Sequence, residues 1–100
     1  MSFAALGLKA SLVRIAADRG FEAPTPIQEA AIPAILQGHD VLGLAQTGSG
    51  KTAAFALPVL HHLLTERQGA GHRLRVLVLV PTRELAMQVG EVMRDLAHDL

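Results

Sequence analysis

An α/β fold, with a parallel sheet flanked by helices, is predicted from three consecutive segments of the sequence. A short apolar run at 41–44 has the composition of a buried strand. Apolar residues then recur at helical spacing from Lys51 to about Arg67, and an almost continuous aliphatic run at 74–80 ends at Pro81. Parallel strands need a crossover connection, which is usually a helix. The order strand, helix, strand therefore predicts a βαβ unit.

The residues before this unit are predicted to be helical. Apolar residues between Leu8 and Arg19 fall on one helix face, and Gly20 stands where a helix would end. Pro26 suits the first position of a further helix, and Thr25 with Gln28 has the spacing of a capping box. The simplest interpretation of Gln28 is therefore that its amide caps this helix and does nothing else.

Two prolines and one threonine mark the other predicted helices. A short helical segment through Ile32 to Leu36 has Pro33 near its start. Pro58 lies inside the pattern that begins at Lys51 and is expected to bend that helix. Thr82 follows the second strand and can cap a last helix, whose apolar residues are Leu85, Val89, Val92, Met93 and Leu96.

The composition excludes several classes of protein. Half of the 100 residues are hydrophobic and 18% are charged, which is typical of a packed domain. Nine basic and nine acidic residues balance, so any nucleic-acid contact must come from local residues. The absence of cysteine excludes disulfides and thiolate metal sites. With no apolar stretch of membrane-spanning length and no secretory signal pattern, we expect a cytoplasmic protein without membrane contact.

The segment between the first strand and its helix predicts a phosphate-binding loop. It matches G-x-x-x-x-G-K-[ST], with an alanine in place of the first glycine: Ala45, Gln46, Thr47, Gly48, Ser49, Gly50, Lys51 and Thr52. Glycines let successive backbone N–H groups turn towards an anion, and the helix that follows adds its positive dipole end. Lys51 would reach the β- and γ-phosphates, and the Thr52 hydroxyl would hold Mg²⁺. The alternative, a turn that uses glycine for geometry alone, gives no reason for Lys and Thr to follow directly.

Three stretches together resemble one family, the DEAD-box ATP-dependent RNA helicases. Gly20–Gln28 resembles the Q motif of that family, and Phe3 matches its isolated upstream aromatic residue. Ala45–Thr52 is similar to its Walker A motif, which commonly begins with alanine, and Pro81–Ala86 resembles its motif Ia. The Q motif is the discriminating feature, because many nucleotide-binding proteins share a Walker A motif.

The resemblance implies ATP and Mg²⁺ as cofactors. Gln28 would hydrogen-bond the adenine edge, Phe3 would stack on the ring, and Phe21 would lie in the same site, beside the loop 45–52. Lys51 and Thr52 would act in catalysis. The resemblance also implies contact with the phosphate backbone of RNA, without base specificity, through Pro81, Thr82, Arg83 and Glu84. Without the resemblance, Thr82 is a helix cap, and Arg83 and Glu84 are solvated residues of a first turn.

The resemblance further implies that residues 1–100 form the N-terminal portion of the first RecA-like domain of a helicase core. Residues 1–40 would be its Q-motif helical region, and 41–100 its P-loop βαβ unit with the motif Ia helix. The family's Asp-Glu-Ala-Asp and Ser-Ala-Thr motifs do not occur in the sequence. We therefore expect an incomplete, truncated domain that hydrolyses little or no ATP by itself. Its sheet would have a gap, and apolar edges could pair with another copy.

Two other functions explain part of the sequence. Another P-loop NTPase or a kinase accounts for the loop 45–52 but leaves Phe3, Gln28 and Pro81–Ala86 as coincidences. A non-catalytic nucleotide-binding module would use Lys51 only as a cation at a helix start. Adenine selectivity that depends on Gln28 separates the helicase hypothesis from the kinase. Failure of ATP with Mg²⁺ to perturb a longer, folded chain would favour the non-catalytic module.

Overall fold

A computed structural model describes residues 2–43, 50–65 and 78–98 of the chain. Within these ranges the chain forms a short 3-10 helix, Ala4–Leu6, and four α-helices. The α-helices are α1 (Ala10–Asp18), α2 (Pro26–Leu36), α3 (Lys51–Thr65) and α4 (Arg83–Ala97). None of the described helices is long and apolar enough to cross a membrane.

Helix α1 starts at Ala10, after the predicted start at Leu8, and ends at Asp18, next to the predicted end at Arg19. Its predicted apolar face is buried at Leu12, Ile15 and Ala16. Gly20 follows the helix with a φ of 83°, a left-handed conformation that favours glycine, so the chain can leave α1 sharply. The Arg19 guanidinium donates a hydrogen bond to the backbone carbonyl of Asp95 near the end of α4, which ties the C-terminal ends of these two helices together.

Helix α2 joins two pieces that the sequence pattern separated: the helix start at Pro26 and the short segment through Ile32 to Leu36. The prediction that Pro33 lies near the start of a separate segment is wrong. The helix starts at Pro26, immediately after Thr25, and runs through Pro33 without interruption to Leu36. Proline has no N–H group, so one hydrogen bond of the helix is missing at Pro33. Burial of Ala31 and Ile32 against the core holds the helix together across this position.

The core is built mainly on α3. Ala56 and Leu57 are fully buried, and Pro58 is among the most buried side chains of the chain. Helices α2 and α3 form the most extensive helix pair among the described residues, and α4 also packs on α3. The small side chains Ala53, Ala54 and Ala56 occupy the buried face of α3 and allow this close approach.

The N-terminal segment is part of this core. The sequence pattern did not predict this burial for the residues that precede Leu8. Phe3, immediately before the 3-10 helix, is 4% exposed, and Leu6, within it, is 5% exposed. They belong to the same apolar cluster as the buried residues of α1 and α3. At the other end of the chain, Leu96 of α4 is buried, whereas Leu85 is 39% exposed, so α4 contacts the core mainly through its C-terminal half.

The parallel sheet stays a prediction. Residues 41–43 and 78–80, the described parts of the two predicted strands, lie outside any helix but are not assigned to strands. Residues 44–49 and 66–77 lie outside the described part of the chain, and a strand is defined by ladder hydrogen bonds to a neighbour. Leu42 and Leu79, one in each of the segments 41–43 and 78–80, are 86% and 83% exposed.

A cavity of about 540 Å³ lies between α2, α3 and these two extended segments. Its lining is largely apolar and includes Ile27 and Ile35 of α2, and Phe55 and Val59 of α3. Lys51 and Thr52 also line it. Residues 41–43 and 78–79 therefore lie close to the start of α3.

Candidate functional site

Gln28 connects the start of α2 to the start of α3. Its side-chain Oε1 accepts a hydrogen bond from the Thr25 backbone N–H at 3.0 Å, as the predicted capping box requires. Its Nε2 donates to the backbone carbonyl of Gly50 at 3.2 Å. Only 3% of Gln28 is exposed, and it is the one buried polar residue of the described chain. The cap and the contact with the glycine-rich loop are therefore made by the same amide.

Both the backbone conformation and the surroundings of position 50 require glycine there. Its φ is 87°, which side-chain-bearing residues rarely adopt. A Cβ atom at this position would lie 2.4 Å from Nε2 of Gln28 and 3.2 Å from Oγ1 of Thr25. The Gly50 carbonyl also accepts the backbone N–H of Ala54 in the first turn of α3, at 3.0 Å. Glycine thus allows the loop to approach the start of α2 closely.

The Thr25 hydroxyl is a buried polar atom without a hydrogen-bond partner in the described part of the chain. It occupies the capping-box position, where the Gln28 backbone N–H approaches it without the geometry of a full hydrogen bond. Burying an unpaired hydroxyl costs about 1–3 kcal/mol. Since Oγ1 also faces Gly50, an unsatisfied polar group lies between the two predicted nucleotide-binding motifs.

Lys51 and Thr52 occupy the first turn of α3. Lys51 is exposed, and Thr52 is half-buried. The first N–H groups of a helix have no acceptor within it, and together with the helix dipole they favour an anion at this end. The other residues of the predicted loop, Ala45, Gln46, Thr47, Gly48 and Ser49, lie outside the described part of the chain. Their predicted role in binding a nucleotide stays a prediction.

Phe3 and Phe21 lie together, although 18 positions separate them in the sequence. Their ring centroids are 6.3 Å apart, and the ring planes are tilted by 33°. Phe3 is 4% exposed and belongs to the core, whereas Phe21 is half-buried and packs against that core from its edge. Of the two aromatic rings, Phe21 is therefore the more accessible to a ligand in this conformation.

The start of α4 carries the predicted RNA-contacting residues. Thr82 is the N-cap: its φ and ψ are extended, and its Oγ1 accepts the Leu85 backbone N–H at 3.1 Å. Pro81, Thr82, Arg83 and Glu84 are all exposed. The Thr82 hydroxyl can still donate its proton, and the N–H groups of the first turn have no acceptor within the helix. This helix start can therefore bind an anion, with Arg83 as a positive charge beside it.

Two histidines of α3 make contacts that the sequence did not predict. The backbone N–H of Lys9 donates to Nδ1 of His61 at 3.1 Å, across 52 positions of sequence. Nε2 of His62 lies 3.0 Å from the carbonyl of Ile35, near the end of α2. No local sequence signal marks a backbone partner that is so distant along the chain.

Comparison with known proteins identifies the family. The family model for DEAD/DEAH box helicases matches residues 25–100. The ATP-dependent RNA helicase DeaD of Escherichia coli is 54% identical over 99 residues, which is 99% of this chain and 15% of that protein. RNA helicase CrhR of Synechocystis is 51% identical over 98% of this chain and 19% of its own length.

Two solved structures have a similar fold. The ADP-bound RNA helicase Prp28 of Chaetomium thermophilum superposes with a TM-score of 0.88 at 43% identity, covering 97% of this chain and 24% of that one. A DEAD box protein of Methanococcus jannaschii has a TM-score of 0.82 at 36% identity, with 96% of this chain and 25% of that one covered.

The chain thus spans between about a seventh and a fifth of the length of these two curated relatives. The match extends over nearly all of its own residues. By sequence and by fold, the chain belongs to the DEAD/DEAH box helicase family.

Proposed function

We propose that this chain forms the ATP-binding and RNA-contacting part of an ATP-dependent RNA helicase, within the first RecA-like domain of the helicase core. The observation that carries the proposal is the hydrogen bond from Gln28 to the Gly50 carbonyl. It joins the residue proposed to read adenine to the loop proposed to hold the phosphates. A P-loop kinase or a simple nucleotide-binding module has no need for such a link.

The residues at the start of α3 fit a nucleotide bound with Mg²⁺. An exposed Lys51 stands at the positive end of a helix, and the backbone at Gly50 has a conformation and a close approach that exclude a side chain. The unpaired Thr25 hydroxyl nearby supplies a further polar atom. Lys51 would hold the β- and γ-phosphates, and Thr52 would hold the metal. Bound Mg²⁺ would neutralise charge on the phosphates during their transfer.

Gln28 is proposed to select adenine over guanine. An amide has two donor hydrogens and two acceptor lone pairs, and the protein contacts use one of each. The remaining donor and acceptor can pair with the N7 and amino group of adenine, an arrangement that guanine does not offer. Because only 3% of Gln28 is exposed, base contact requires the covering atoms to move. The half-buried ring of Phe21, backed by Phe3, would pack against the base.

The start of α4 is proposed to bind RNA phosphates. Thr82, the N–H groups of the first turn and the Arg83 guanidinium together provide hydroxyl, backbone and cationic donors. Phosphate contacts carry no base information, so this segment would bind RNA without sequence preference.

The complete helicase activity requires groups that these 100 residues do not contain. The Asp-Glu-Ala-Asp and Ser-Ala-Thr sequences are absent from the chain, and phosphoryl transfer needs several positioned groups acting together. We therefore propose that the chain binds nucleotide and RNA but hydrolyses little ATP alone. A parallel sheet, self-association through unpaired edges and a cytoplasmic location also belong to this proposal.

Nucleotide binding is tested by calorimetric titration of the chain with ATP and with GTP, each with Mg²⁺. We expect preference for ATP, a large loss of affinity for both nucleotides in Lys51→Ala, and loss of the preference in Gln28→Ala. Gln88→Ala, at an exposed position of α4, is the matched control and should leave the preference unchanged. Equal affinity of the original chain for ATP and GTP would refute adenine selection, and a Lys51→Ala variant that binds normally would refute the phosphate-binding role.

RNA contact is tested by the salt dependence of binding to a single-stranded RNA. Each phosphate contact adds about 0.7 to the slope of log affinity against log salt concentration. Arg83→Ala should therefore lower the slope by about 0.7 and weaken binding equally for different sequences. Arg94→Ala, in the last turn of the same helix, removes the same charge away from the proposed contact. If both variants lower the slope equally, the contact is not localised to the start of α4.

A further inference from the structure

The two adjacent histidines of α3 attach that helix to two different parts of the chain. His61 accepts the backbone N–H of Lys9, the residue that precedes α1. His62 lies against the carbonyl of Ile35 in α2. The two rings are nearly perpendicular, with their centroids 5.9 Å apart. The His61 ring therefore contacts the segment before α1, and the His62 ring contacts α2.

These two contacts depend differently on protonation. A ring nitrogen that accepts a hydrogen bond must be unprotonated, so the contact with Lys9 requires neutral His61 with its proton on Nε2. A carbonyl accepts only, so His62 must donate from Nε2. Both the neutral Nε2–H tautomer and the cation can do this. Protonation consequently breaks the His61 contact and leaves the His62 contact intact.

The surroundings of His61 disfavour its cation. Partial burial lowers the pKa of His61 below its ordinary value of 6.5, and the nearby charges of His62 and Lys9 lower it further. Among the described residues, these two side chains are the titratable groups that act on the ring: one from α3 itself and one from the segment before α1. Helix α2, which also packs on α3, presents the Ile35 carbonyl to His62. The start of α1 adds the positive end of its dipole.

We propose that His61 is a pH-sensitive latch that holds the N-terminal segment, residues 2–9, on α3. When it is neutral, His61 accepts the Lys9 N–H and secures the segment. When it is protonated, the ring presents a second donor and a positive charge to the same N–H, and the segment detaches at this point. Phe3, Leu6 and Leu8 of the segment lie in the core, so the latch controls how firmly part of the core is closed.

The direction of the pH effect follows from the lowered pKa. Between the pKa values of the folded and unfolded states, the unfolded chain binds more protons. The contribution of His61 to stability is therefore fully present above about pH 6.5 and is lost as the pH falls below that value. The loss of stability is complete once the pH is below the lowered pKa of His61 in the folded chain. Lower pH weakens the attachment of the N-terminal segment.

The experiment is an NMR titration of the nucleotide-free chain from about pH 8 to pH 5, following the His61 ring and the Lys9 amide. We expect the Lys9 amide to shift with the same midpoint as His61, below the ordinary histidine value. Its protection against hydrogen exchange, taken relative to the intrinsic exchange rate at each pH, should fall as the pH is lowered through that midpoint. The Phe3 ring signals should change with the same midpoint. A Lys9 amide that stays constant while His61 titrates would overturn the proposal.

Two substitutions separate the latch from a general effect of pH. In His61→Gln, the amide oxygen can accept the Lys9 N–H but does not titrate. The pH-dependent shift of the Lys9 amide signal, here called the Lys9 transition, should therefore disappear. His62→Gln keeps a donor for the Ile35 carbonyl and leaves His61 in place, so the transition should persist. Persistence of the Lys9 transition in His61→Gln would assign it to another group and refute the latch.

The latch would also affect the proposed nucleotide site, because Phe3 of the N-terminal segment contacts Phe21 of the Q motif. This extension rests on the proposed function, but the latch does not, because the titration contains no nucleotide. Failure of the chain to bind ATP would leave the Lys9 result unaffected. A chain that binds ATP with no pH-dependent change at Lys9 would refute the latch alone.

Discussion

The side-chain nitrogen of Gln28 donates a hydrogen bond to the backbone carbonyl of Gly50 at 3.2 Å, across 22 positions of sequence. This contact places the start of α2 directly against the residue before α3. The capping bond of Gln28 to Thr25 orients the amide so that its nitrogen faces Gly50. The cap of α2 thus also positions the amide group that bonds to Gly50. Two substitutions test this contact, and two more test the cap of α4 and its attachment to α1.

Gly50→Ala is expected to destabilise the chain more than Gly38→Ala. Both glycines have a φ of 87°, but a Cβ at Gly38 meets nothing within 4 Å, whereas one at Gly50 lies 2.4 Å from Gln28 Nε2. Holding an alanine in this left-handed backbone conformation costs about 1–2 kcal/mol at either position. Overpacking at Gly50 should add about 1–3 kcal/mol. Urea unfolding of the two variants measures the difference, and equal losses would mean that the loop moves away from Gln28 at no cost.

Gln28→Glu is expected to keep the cap but lose the contact with Gly50. A carboxylate can accept the Thr25 N–H, but it presents an oxygen to the Gly50 carbonyl in place of a donor. We expect a loss of about 1–3 kcal/mol at neutral pH, with partial recovery in acid, where the carboxyl group can donate. Unfolding at two pH values checks this. A variant as stable as the original chain at neutral pH would show that the Gly50 contact contributes nothing.

Thr82→Ala is expected to cost about 1 kcal/mol through loss of the N-cap of α4. The Leu85 N–H loses its acceptor, the Thr82 hydroxyl. Thr82→Ser retains that hydroxyl and should remain close to the original stability. Thermal unfolding followed by circular dichroism compares the two. Equal loss in the serine variant would assign the effect to the methyl group and not to the cap.

Arg19→Ala is expected to loosen the attachment of α4 to α1. The Arg19 guanidinium donates to the Asp95 carbonyl, close to the C-terminal end of α4. We expect a loss of about 1 kcal/mol and faster hydrogen exchange in the last turns of α4. Arg14→Ala, at an exposed position of α1, is the control and should change neither quantity. The same exchange rates in both variants would show that the contact does not hold α4.

The helices were largely predictable because their ends depend on residues three or four positions apart. Thr25 with Gln28, and Thr82 before α4, are local caps, and both helices start where these residues predict. The continuous run of α2 through Pro33 was not predictable in the same way. The missing hydrogen bond is a local cost, whereas the burial of Ala31 and Ile32 that offsets it is a tertiary contact.

By itself, the sequence determined the helical segments and the three motifs that indicate the family. The spacing of side chains along one segment carries that information directly. Only the tertiary structure decided which distant groups meet: Gln28 with Gly50, Phe3 with Phe21, and His61 with Lys9. Backbone carbonyls and N–H groups occur at nearly every residue, so the sequence does not distinguish the one that a side chain will bond. Packing of α2 and the N-terminal segment on α3 makes that choice.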